Sequence, residues 1–113
     1  MLTFNLKKEW FEKIKSGEKT HEYREFKQYW TRIFKKEFGE FEFGVTELRF
    51  GNPIIFKTKH KVCFMNGMFP EEKRPRLYGI IKSIRLRMGT ETDLKIDKAV
   101  YDIEFELIGN KDD

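Results

Sequence analysis

The sequence predicts an α+β fold, a small mixed-sheet β-barrel flanked by two short N-terminal helices. Three observations predict it. Helical spacing of apolar residues occurs only early in the chain, and period-two alternation dominates from residue 45 onward. No regular βαβ alternation links the two regions, and the strands are short and bounded by glycine-rich turns. At 113 residues there is room for one core, so residues 1–110 form a single domain with 111–113 as a disordered tail.

Leu2, Phe4 and Leu6 alternate with Thr3 and Asn5, which gives a short strand with one buried face. Residues 7–16 change to helical spacing, with Trp10, Phe11 and Ile14 on one stripe and Glu9 and Lys13 paired on the other side. Ser16-Gly17 ends this helix, because glycine takes the left-handed conformation of a C′ position without penalty. Tyr29, Trp30, Ile33 and Phe34 repeat the stripe and predict a second helix over about 28–37. Residues 38–44 read as a loop or irregular strand, and 47–50 as a short strand stopped by Gly51-Asn52-Pro53.

The remaining strands alternate. Over 57–65, Lys57, Lys59 and Lys61 oppose His60, Val62 and Phe64, and Asn66-Gly67 then marks a turn before the charged loop 70–75. Over 78–88, Ile80, Ile84, Leu86 and Met88 face inward and Ser83, Arg85 and Arg87 outward, with Lys82 interrupting the series as a bulge or a rim residue. In the last strand Tyr101, Ile103, Phe105 and Leu107 oppose Asp102, Glu104 and Glu106.

Composition excludes several classes. Cys63 is the only cysteine, so an intrachain disulfide and a tetracysteine zinc site are both ruled out, and its apolar strand setting reads as core. The two histidines, His21 and His60, have no second ligand at metal spacing, and no glycine-rich phosphate loop precedes a helix. No metal or other cofactor is therefore expected. No apolar run approaches the roughly 20 residues of a membrane span, so a soluble, cytoplasmic protein is expected. Net charge is +4, but residues 73–87 hold six basic side chains and no acid, while residues 91–113 hold eight acids against three lysines. Either the basic stretch is a face for a polyanion, or basic and acidic strands lie side by side and neutralise each other.

Chemistry concentrates in Gly17-Glu18-Lys19-Thr20-His21-Glu22-Tyr23-Arg24. If residues 19–24 are extended, Lys19, His21 and Tyr23 share one face and Thr20, Glu22 and Arg24 the other. Glu22 between Lys19 and Arg24 is either an ionised base and amine acceptor or a structural ion pair. Tyr23, Tyr29 and Trp30 lie among Lys19, Arg24, Lys27 and Arg32, an interleaving of flat and cationic side chains suited to stacking and phosphate contact.

The string formed by Gly17, Lys19, Glu22 and Arg24 after an amphipathic helix resembles the ASCH domain of the PUA-like superfamily. Lys27-Gln28-Tyr29-Trp30 with Arg32 is similar to a segment of a phage and bacterial branch of that family, as are Phe64-Met65-Asn66-Gly67 and the closing strand from Ile103 to Gly109. Residues 38–56 fit the pattern least. The resemblance implies a PUA-like barrel with a cleft at its mouth, and RNA or other nucleic acid as ligand. Some members hydrolyse the amide of N4-acetylcytidine with a lysine, a threonine and a distant glutamate. The lysine would be Lys19, but the threonine position holds Glu22 and Thr20 is out of register, which argues against that activity.

The leading expectation is a module that binds RNA, single-stranded nucleic acid or a modified nucleoside through a cationic cleft. Lys19, Arg24, Lys27 and Arg32 contact phosphate, Tyr23, Tyr29 or Trp30 stacks on a base, and Glu22, with Asn66 nearby, accepts an exocyclic amine. The alternative is a small hydrolase with Glu22 as general base supported by Lys19. A third reading is a protein-interaction module that uses the 73–87 stretch.

Overall fold

Apolar alternation and two helical stripes build a curled mixed sheet, a half-barrel, with two helices. The computed structural model describes residues 1–39 and 54–108, the side chains of Lys57 and Thr58 aside. In chain order the elements are β1 (Leu2–Leu6), α1 (Lys8–Lys15), β2 (His21–Glu25), α2 (Gln28–Phe38), β3 (Ile54–Asn66), β4 (Arg76–Met88) and β5 (Ala99–Leu107), with single 3₁₀ turns at Glu71–Lys73 and Gly89–Glu91. The anticipated strand at 47–50 and most of the loop at 38–44 lie outside the described residues. Phe38 itself is the last residue of α2 and is buried, so that helix runs one residue beyond expectation.

The sheet order is β1-β3-β4-β5-β2. β1 pairs with β3 in parallel, and β3, β4, β5 and β2 follow as antiparallel neighbours. The first two strands of the chain thus occupy the two opposite edges. Side chains bring these edges together, because the Arg24 guanidinium of β2 lies 4.6 Å from the Phe4 ring of β1 and 5.2 Å from Trp30 of α2.

One core fills the concave side. Leu2, Phe4 and Leu6 of β1 pack with Val62 and Phe64 of β3, Ile81 and Ile84 of β4, and Tyr101, Ile103 and Phe105 of β5. α1 contributes Phe11 and Ile14, and α2 contributes Phe34 and Phe38. Phe34 meets the Tyr101 ring edge-on at 4.8 Å, and Phe4 stacks on Phe64 at 6.0 Å. Aromatic pairs of this kind add about 0.5–1.5 kcal/mol beyond their burial. Cys63 is buried, and that burial pushes its thiol pKa up, as for an inert core residue.

β4 departs from the expected phase at one place. The β4–β5 register shifts between Ile81 and Ser83, so Lys82 is the bulge. Before the bulge it is Ile81, at 2% exposure, and not Ile80, that faces the core. The extra residue reverses the alternation, which lets Ile81 and Ile84 share one face.

Candidate functional site

Gly17 sets the approach to the site. It closes α1 with φ of 85°, and the Gly17 N–H donates to Ile14 O at 3.0 Å. The chain then doubles back, and the Lys19 N–H donates to Lys13 O at 3.0 Å before β2 begins at His21. Strand pleating sorts the β2 side chains onto two faces. Glu22 and Arg24 stand opposite Ile103 and Tyr101 on the core side, whereas His21 and Tyr23 stand opposite Glu104 and Asp102 on the outer side.

Lys19 joins the two sides. Only 9% exposed, it places Nζ 2.5 Å from Asp93 Oδ2 and 3.5 Å from Glu22 Oε1. The same ammonium lies 4.7 Å from the centre of the Tyr23 ring and 5.6 Å from that of Trp10. Two carboxylates and two π-faces compensate a lysine that has left water.

Asp93 comes from the turn between β4 and β5, which is braced from within. The Gly89 N–H donates to Lys98 O at 2.7 Å, the Thr92 hydroxyl donates to Gly89 O at 2.9 Å, and the Leu94 N–H donates to Thr92 Oγ1 at 3.2 Å. A Cβ on Gly89 would fall 2.5 Å from the carbonyl oxygen of Ile96, so the turn requires glycine there.

These parts enclose an open cleft of about 420 Å³. Trp10 and Tyr23 supply its rings, Lys13, Lys19 and Lys95 its cations, and Glu18, Glu91 and Asp93 its anions, with Thr20 and His21 also on the wall. The cleft is therefore electrically mixed and not cationic, because the turn carrying Asp93 adds Glu91 and Asp93 to the Glu18 of the Lys19 motif. Among the described residues no group of three or more His, Cys, Asp or Glu side chains is placed to hold a metal ion.

Glu22 lies beneath this cleft and is not part of its lining. It is 4% exposed, with Oε1 accepting from the Tyr23 N–H at 3.1 Å and Oε2 3.3 Å from Arg24 Nη2. The carboxylate does sit between Lys19 and Arg24 as the spacing implied, but as a buried ion pair. Glu22 Oε2 and Arg24 Nε have no hydrogen-bond partner among the described residues.

The other anticipated residues divide. Arg24, Tyr29 and Trp30 line a second, separate hollow of about 520 Å³ against β1. Lys27 is exposed and lies 3.6 Å from Glu25, and Arg32 faces outward from α2. Asn66 stands apart from both. It is 2% exposed and its Oδ1 accepts from the Met68 N–H at 3.0 Å, so it shapes the β3–β4 turn.

On the outer side lies a cluster that realises the side-by-side pairing of basic and acidic strands and adds His21 to it. Asp102 is 1% exposed and accepts from His21 Nδ1 at 2.6 Å, Arg85 Nε at 3.1 Å and Arg87 Nε at 3.0 Å. Burial alone would raise its pKa, but the bonds from His21 and the two arginines outweigh it and hold the carboxyl below its usual value. A carboxylate only accepts, so His21 Nδ1 carries hydrogen and the ring is fixed nearly parallel to Tyr23, 6.2 Å away. Tyr23 has its phenol pKa pushed up, by burial first and then by the negative charge of Asp102. Arg85 and Arg87, two of the four arginines in the 73–87 stretch, are thus tied to the acidic strand, as side-by-side neutralisation would have it.

No protein-family model, curated protein or solved structure matches the chain.

Proposed function

We propose that the chain is a nucleic-acid-binding module, with single-stranded or structured RNA as ligand and the Lys19 cleft as the place where a base sits. One observation carries this reading: a nearly buried lysine flanked by Trp10 and Tyr23, with Asp93 at its head, on the floor of an open cleft. Flat rings give a base a stacking surface of any sequence, and a fixed carboxylate accepts from an exocyclic amine. The mixed charge suits a ligand that offers both amine donors and an anion, which a nucleotide does. The resemblance to PUA-like ASCH domains is in keeping with this reading.

The test is a titration with a ten-nucleotide single-stranded RNA at two salt concentrations. Saturable, salt-weakened binding is expected, and Tyr23→Ala should weaken it by about 1–3 kcal/mol through loss of one stacking face. Binding that is absent, or indifferent to both salt and Tyr23, sinks the proposal.

The hydrolase reading draws support from the contact of Lys19 with Asp93, a carboxylate distant in sequence, beside Thr20 in the same cleft. Glu22, buried and outside the cleft lining, does not reach a substrate as the expected general base, so in this reading Asp93 takes that role and Glu22 supports Lys19 from below. Incubation with RNA and with a panel of base-modified nucleosides should then give turnover that Asp93→Asn abolishes, and unchanged turnover in Asp93→Asn would remove Asp93 from the role.

A further inference from the structure

Asp102 does more to Arg85 and Arg87 than neutralise them. It engages each guanidinium through Nε alone, so both long side chains are pinned at the same carboxylate oxygen. The hydrogen bonds of both arginines to Asp102 run through Nε, and no hydrogen bond from their Nη groups to a described residue is seen. The two side chains remain 27% and 31% exposed, while the carboxylate that holds them is sealed off from water. Two cations share one anion here, so the Arg85–Asp102–Arg87 group by itself is net positive, with Glu104 beside it, 4.0 Å from His21 Nε2.

The location matters as much as the charge. Tyr23, Asp102 and Arg85 stand in one row across β2, β5 and β4, because Tyr23 is opposite Asp102 and Asp102 is opposite Arg85. Two strand spacings put Arg85 about 10 Å from Tyr23 along that row, Cα to Cα. Tyr23 and His21 form the cleft wall on this side, and the Tyr23 phenol feels the charges of both arginines. A single nucleotide stacked on Tyr23 spans this distance to the reach of an arginine.

We infer that Arg85 and Arg87, oriented by Asp102, form a phosphate clamp for the nucleotide whose base occupies the Lys19 cleft. The clamp rests on the proposed function for its ligand and adds that the ligand is phosphorylated. A free nucleoside would leave it empty. Arginine suits the role because its planar fork meets phosphate oxygens in pairs, and a guanidinium fixed at Nε has lost the rotamer freedom that binding would otherwise cost. Asp102 is the positioning residue and touches no ligand.

Two measurements separate the clamp from the cleft. In the first, the intact protein is titrated with the ten-nucleotide RNA and with a nucleoside 5′-monophosphate, over a series of salt concentrations. Arg85→Gln and Arg87→Gln, singly and together, should weaken RNA binding at least tenfold in the double variant and reduce the slope of log K against log salt by about 0.7, one phosphate's worth. Tyr23→Ala should weaken binding and leave that slope unchanged. Arg87→Lys, which keeps the charge and loses the fork, should restore the slope but only part of the affinity. A monophosphate that binds like RNA assigns the clamp to a free nucleotide, and one that does not assigns it to the polymer.

The second measurement needs no base. Inorganic pyrophosphate is added while the arginine Nε–Hε signals are followed by NMR. Shifts at Arg85 and Arg87 are expected in the wild type and in Tyr23→Ala. If RNA fails to bind but these shifts appear, the cleft reading is wrong and the clamp stands. If RNA binds and neither the shifts nor the slope respond, the clamp is wrong and the cleft stands. Should the double variant not fold, the single variants and the pyrophosphate shifts decide the question.

Discussion

The β2–β5 pair carries a buried carboxylate on each face, and the two are built to different standards. Asp102, on the outer face, takes three charge-assisted hydrogen bonds between 2.6 and 3.1 Å from His21, Arg85 and Arg87. Glu22, on the core face, has its cations at 3.3 and 3.5 Å, and its Oε2 forms no hydrogen bond to a described residue. Both carboxylates have lost their water. Only Asp102 has replaced it fully. A saturated anion fixes the groups around it, whereas an unsaturated one leaves polar capacity inside the fold. The difference teaches where each face spends its order. The outer face holds cations in fixed positions, and the core face tolerates a loosely coordinated pair because the neighbouring Phe4 and Trp30 rings pack against the Arg24 guanidinium.

The contrast is open to direct test. The largest effect belongs to Asp102→Ala, which leaves two arginines facing each other without their shared anion. Since those arginines are partly exposed, the loss is expected near the low end for a broken buried pair, about 2–3 kcal/mol by urea denaturation. Acid sharpens the same point. Asp102 titrates below its ordinary 3.8 in the folded protein, so its contribution is complete above that pH and is lost as pH falls through the lowered folded value. Asp102→Asn should therefore flatten the acid limb of stability against pH, and an unchanged limb would show that other carboxylates govern it.

A smaller effect is expected at Glu22. Glu22→Gln keeps the shape, and Lys19 still holds Asp93, so a cost of about 1 kcal/mol is expected from the same denaturation series. Equal costs at Glu22 and Asp102 would erase the distinction between the two faces. The smallest effect belongs to Asp93→Asn, whose side chain is 27% exposed, with a stability change of about 0.5 kcal/mol or less. Its influence should appear instead as weakened RNA affinity at both salt concentrations.

Much of the fold was legible in the sequence, and the remainder has physical causes. The stripes of α1 and α2, the stop at Gly17, the alternation of β5 and the irregularity at Lys82 all follow local rules, and the structure places each as expected. So did the position of Glu22 between two cations, since residues two and three apart settle it. The partner that completes Lys19 was invisible. Asp93 lies in a turn without periodicity, and only the pairing of β2 with β5 carries it to the motif. Asn66 was legible as a turn residue before Gly67 and was also a candidate for the ligand site, and here the turn claims its side chain. The phase of β4 before Lys82 escapes the sequence because a bulge adds one residue without altering composition.

The order of strands has a consequence in time. β2 carries His21 and Tyr23 and is made early, but its sheet neighbour is β5, the last described strand to be synthesised. At ordinary rates of translation that interval is on the order of 5–15 seconds, during which β2 lacks the strand it is paired with among the described residues. Until β5 arrives, Tyr23 has no Asp102 opposite it and the turn bearing Asp93 is not closed. A nascent chain lacking its final strand would present the motif residues without the cleft or the arginine pair. The proposed recognition surface is the last part of the described structure to be completed.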